Sequence, residues 1–103
     1  MSDAEPASLE SNSEGISQLP VPAIYVREVT LGTARRVLQA GNIDTSRPLV
    51  EYGLDSIRAT ELVVELEDIF HVQIPDEQTT YLITVDDIAD YLIAELLHAQ
   101  RIL

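Results

Sequence analysis

Apolar residues return at helical intervals along most of the chain, and nowhere do they alternate with polar ones long enough to make a strand. From about Ala23 to Ala40, Tyr25, Val29, Ala34, Val37 and Leu38 recur at steps near one helical turn; Gly32 interrupts the run and Gly41 stands where a helix would stop. A second helix is expected from the Asp55-Ser56 pair to Phe70. Its Ala59, Leu62, Val63, Leu66, Ile69 and Phe70 share one broad face, while Glu61, Glu65 and Asp68 share another. Ile74-Pro75-Asp76-Glu77 places a proline where a helix can start but not continue, which predicts a short helix over Asp76 to Tyr81. Thr84-Val85-Asp86-Asp87 reads as a capping box with Asp in place of the usual Glu. Ile88, Ala89, Leu92, Ile93, Leu96 and Leu97 follow it, the strongest helical pattern in the chain. Asn42 to Leu54 is rich in turn formers, yet Ile43, Leu49 and Leu54 can pin it to a core, so it reads as a long ordered loop. The expected class is all-α: a four-helix bundle of three longer helices and one short one, with a long first loop.

Composition narrows this picture. A chain of 103 residues with 46% hydrophobic residues supports one small core, and the absence of Cys leaves packing to hold it together. Residues 1–20 are rich in Ser, Glu, Ala and Pro and lack aromatics, too little apolar surface to offset the entropy of ordering. The expected organisation is a disordered arm over 1–22 and one domain over 23–103.

The net charge of −12 is unevenly spread. Residues 24–50 hold four arginines against Glu28 and Asp44, whereas residues 51–103 hold twelve acids against Arg58 and Arg101, and there is no lysine. A field of that sign keeps a domain soluble, repels nucleic acid and anionic lipid, and speeds encounter with proteins that present basic patches. The amino-terminal residues are acidic where a signal peptide is basic, and no apolar run approaches a membrane span, so the expectation is a cytoplasmic monomer.

Local chemistry is sparse. His71 and His98 are too far apart for a local zinc or catalytic motif, and Asp86-Asp87 lacks the ligand spacing of a calcium loop, so no metal site is expected. Divalent ions are expected only to condense on Glu61, Glu65 and Asp68. Either Asp55 or Ser56 can cap the second helix, and an isolated Asp-Ser pair at such a place is usually a cap and nothing more. No His or Lys stands near Ser56 in sequence to activate its hydroxyl.

The pair is not isolated. Gly53-Leu54-Asp55-Ser56-Ile57, then Glu61-Leu62, Leu66-Glu67-Asp68-Ile69-Phe70 and Ile74-Pro75-Asp76 form an ordered set at fixed spacing. Over about residues 24–100 the chain resembles the acyl carrier protein family. The resemblance implies a carrier rather than an enzyme, with Ser56 receiving a 4'-phosphopantetheine arm from coenzyme A through a magnesium-dependent phosphopantetheinyl transferase. The arm's thiol would hold acyl groups as thioesters for ketosynthase, acyltransferase and other acyl-processing partners with basic docking patches. It further implies that Asp55 caps and aids recognition, and that Leu54 and Ile57 form an apolar contact patch. Glu61, Glu67 and Asp68 match the family's acidic docking positions; Val64 is either a docking contact or core. A phosphodiester on Ser56 would lie at a helix N-terminus, where unpaired N–H groups favour negative charge.

Arg58 departs from the acidic residue common two places after the serine in primary fatty acid carriers. Ile57-Arg58-Ala59 resembles carriers of polyketide or specialised lipid assembly, and Arg58 has Asp55, Glu61 or Glu65 available as a partner. Two other readings remain: a peptidyl carrier of non-ribosomal peptide synthesis, which uses the same serine, and a helical interaction domain in which Ser56 is only a cap or phosphosite.

Overall fold

The computed structural model describes the backbone of residues 22–102 and the side chains as far as residue 99. The disorder expected of the amino-terminal arm lies outside the described residues. Four α-helices follow one another: α1 (Ala23–Leu38), α2 (Ser56–Phe70), α3 (Asp76–Thr79) and α4 (Val85–Ile102), with a 3-10 turn at Leu49–Tyr52 inside the first loop. Among the described residues there is no strand, in keeping with the all-α class.

The core is built from the stripes read in the sequence. Val26, Ala34 and Leu38 of α1, Leu62, Leu66 and Phe70 of α2, and Val85, Ile88, Ala89, Leu92 and Leu96 of α4 are buried. Helix α1 packs on both α4 and α2. Two threonines join it inside, Thr30 and Thr33, whose hydroxyls donate to the carbonyls of Val26 and Val29 one turn back, so neither leaves an unpaired polar group. Two residues expected in the stripes lie at its edge instead. Tyr25 is half exposed and meets the Phe70 ring edge-on, centroids 6.5 Å apart. Ile69, beside Phe70 in sequence, is exposed.

Neither α1 nor α2 ends on a glycine. α1 runs through Gly32 and stops before Gly41, with Gln39 in the left-handed region (φ 55°) and the Ala40 N–H donating to the Arg35 carbonyl at 2.9 Å. His71 closes α2 in the same left-handed conformation. The capping box of α4 forms as expected: the Asp87 N–H donates to Thr84 Oγ1 at 3.0 Å, while the Ile83 and Thr84 N–H groups donate to Asp87 Oδ2. The short α3 ends at Thr79, two residues before the expected Tyr81.

The first loop is ordered and anchored to the start of α4. Leu49, fully buried, donates its N–H to the Ile83 carbonyl at 2.9 Å, and the Asp86 N–H donates to the Thr45 carbonyl at 3.0 Å. Tyr52 Oη accepts the Asp44 N–H, and the Asp44 carboxylate accepts the Ser46 N–H and hydroxyl, which hold its pKa below the ordinary value. The turn ends at Gly53, whose φ of 97° is a conformation L side chains rarely adopt and which delivers the chain to Leu54, Asp55 and Ser56.

Candidate functional site

The choice left open between Asp55 and Ser56 is settled by hydrogen bonding. Asp55 is the N-cap: its backbone is extended, and its Oδ1 accepts the Arg58 N–H at 2.8 Å. Ser56 is therefore the first helical residue, exposed, with its hydroxyl in no hydrogen bond among the described residues. Its carbonyl accepts the Thr60 hydroxyl at 2.9 Å, which ties down the first turn beneath it. No acceptor side chain is in place to take its proton, so the hydroxyl is accessible but unactivated.

Ser56 opens onto a groove between α2 and α3 of about 710 Å³, continuous with solvent, whose walls include Thr60, Val63, Val64, Glu67, Asp76 and Thr79. Deeper between α2, α3 and α4 lies a narrower apolar pocket lined by Leu54, Leu62, Leu66, Leu82 and Ile88, whose space of about 410 Å³ includes open solvent. Ala59, Val63, Ile74 and Thr79 line both spaces. The serine thus stands at the rim of an open groove that shares a wall with a more apolar pocket.

The remaining candidate residues separate into an outward and an inward group. Ile57, 72% exposed, Glu61, Val64, 48% exposed, and Asp68 follow one another at i, i+4, i+7 and i+11 and form a single stripe of alternating apolar and acidic side chains. Val64 is thereby placed on the surface and not in the core. Leu54, in contrast, is partly buried, packs against the core and lines the pocket. Glu67 is turned to internal use: its Oε2 accepts the Ile74 N–H at 2.7 Å and fixes the link between α2 and α3. Arg58 finds none of the carboxylates offered to it; among the described residues no acid lies within ion-pair distance of it.

Glu65 is held by a residue that the sequence pattern did not single out. Arg36 of α1 forks both of its oxygens, with Nη1 to Oε2 at 3.0 Å, and this hydrogen bonding lowers the Glu65 pKa and raises that of Arg36. The pair lies 29 positions apart in sequence, and only the packing of α1 on α2 brings it together. With Glu65 engaged, the expected gathering of divalent ions on Glu61, Glu65 and Asp68 loses its middle member, and no cluster of three metal-ligating side chains occurs among the described residues. Among the described residues, no helix is long and apolar enough to cross a membrane.

A family model described as "Phosphopantetheine attachment site" matches residues 28–92. Similar curated proteins include the acyl carrier protein of Syntrophobacter fumaroxidans, 50% identical over 42 residues, or 41% of this chain and 52% of that protein. The acyl carrier protein of Campylobacter fetus subsp. fetus is 38% identical over 47 residues, 46% of this chain and 61% of that one. That of Helicobacter acinonychis is 28% identical over 72 residues, 70% of this chain and 85% of its own. The chain thus spans between half and two thirds of the length of the first two.

Proposed function

This chain belongs to the phosphopantetheine-attachment family, and from that premise we propose that it is an acyl carrier whose arm is borne by Ser56. The observation that carries this reading is the division of labour at the start of α2. Asp55 has taken the capping duty, so Ser56 is left exposed with an uncommitted hydroxyl at the rim of a solvent-open groove. The residues present suit 4'-phosphopantetheine: the phosphodiester would sit by unpaired first-turn N–H groups at the positive end of the helix dipole. When bound, the group supplies a terminal thiol that holds acyl chains as thioesters.

The chain's own residues orient and expose; they do not activate. Asp55 and Thr60 hold the first turn, so that Ser56 projects in one direction. Its proton must leave to a base of the phosphopantetheinyl transferase, since among the described residues none stands within hydrogen-bond reach. The pocket inside Leu54 offers little to pair with polar groups and would have to widen to admit a hydrocarbon chain. Arg58, two places after Ser56, supports a polyketide or specialised lipid pathway over primary fatty acid synthesis, and the stripe Ile57-Glu61-Val64-Asp68 suits partners with basic patches around an apolar centre.

Incubation with coenzyme A and a promiscuous phosphopantetheinyl transferase tests the reading. Intact-mass analysis is expected to show one added arm on the wild type and none on Ser56→Ala. An unmodified wild type would return the chain to a helical interaction domain, and arm addition to the Ser56→Ala variant would move the site elsewhere.

A further inference from the structure

Beside the exposed stripe of α2 runs a second, shallower groove of about 850 Å³, formed with the last turn of α1 and floored by Val37 and Val64. Thr60 and Val64 line both this groove and the one beneath Ser56, so a partner that covers the serine and Val64 reaches its edge. Its charge is the informative feature. Glu61 and Glu65 both line it, but Arg36 also lines it and forks Glu65, leaving Glu61 with no ion partner among the described residues.

Resting on the carrier reading above, we propose that the α1–α2 groove is the outer half of the transferase docking surface and that Arg36 sets its charge by masking Glu65. The occupant that fits is an apolar side chain of the transferase over Val37 and Val64, flanked by one basic residue opposite Glu61. A partner built to meet an unbroken acidic row, Glu61-Glu65-Asp68, finds its middle contact neutralised. The docking face is thus made selective by a residue on the neighbouring helix, and α1 contributes to recognition without touching the serine.

The test is the kcat/KM for arm transfer to Ser56 from coenzyme A by a phosphopantetheinyl transferase with a basic docking patch, measured at low and moderate NaCl. Arg36→Gln uncovers Glu65 and is expected to raise kcat/KM about two- to fivefold, chiefly through KM, with a steeper salt dependence. Glu65→Gln leaves Arg36 bare and is expected to lower it by a similar factor; the double variant returns to the wild-type value. Arg35→Gln is the control, since it changes the net charge equally from the adjacent position but forms no ion pair among the described residues. Equal effects of Arg35→Gln and Arg36→Gln would overturn the proposal in favour of net charge alone, as would a rate unaltered in both single variants. Failure of the wild type to accept any arm would instead overturn the carrier reading on which it rests.

Discussion

At the scale of single residues, neighbouring side chains around the start of α2 have different tasks. Asp55 caps, Ser56 is presented, and Glu67, three turns on, ties the α2–α3 link through the Ile74 N–H. The sequence pattern cannot separate Glu67 from Glu61, since both are acids on the same helix at positions matched in carriers; only the bond to a backbone donor seven residues away distinguishes them. This difference can be measured. Glu67→Ala leaves a partly buried N–H without its acceptor and is expected to cost about 1–3 kcal/mol in urea unfolding, whereas Glu67→Gln keeps an acceptor and recovers most of it. Were Glu67 a charge contact for partners, Gln would slow arm transfer while stability held, the opposite outcome.

At the scale of elements, the starts of the helices and the end of α2 at Phe70 were legible, while α1 and α3 each stop two residues before the expected Ala40 and Tyr81. Thr84 and Asp87 announce α4 because capping is local chemistry, complete within four residues. Gly41 misleads as the end of α1 because Gln39, two residues earlier, adopts the left-handed turn in its place. The 3-10 turn at Leu49–Tyr52 was hidden, since its order comes from the distant Ile83 carbonyl and buried Leu49. The link between α1 and α2 through Arg36 and Glu65 is equally non-local, and its pH dependence follows from sign. The hydrogen bond holds the folded pKa of Glu65 below its ordinary value, so the contribution is fully present above the ordinary carboxylate range and is lost as pH falls through the folded value. The urea midpoint of the wild type is therefore expected to exceed that of Glu65→Gln by a small constant amount near neutrality, and the two curves should converge on acidification. A gap that widens toward low pH would contradict this role for Arg36.

At the scale of the molecule, the balance of charge decides how the fold responds to its surroundings. Eighteen carboxylates face six arginines. Among the described residues, only Arg27, Arg36 and Arg47 form ion pairs, with Asp86 and Asp90, Glu65, and Glu51 respectively. These pairs are largely exposed, so screening them forfeits little. Self-repulsion among the remaining acids is spread over every element and opposes a core drawn from a single small domain, so screening it gains more. Raising NaCl from a few tens of millimolar to about 0.5 M is therefore expected to raise Tm, by about 4–8 °C for each 1 kcal/mol of repulsion relieved in a domain of this size. Because Glu65 is engaged by Arg36 and no cluster of three ligands occurs among the described residues, MgCl2 at matched ionic strength should follow nearly the same curve. A Tm that stays level or falls in NaCl would mean that the arginine pairs linking α1 to α2 and α4 outweigh the acidic excess.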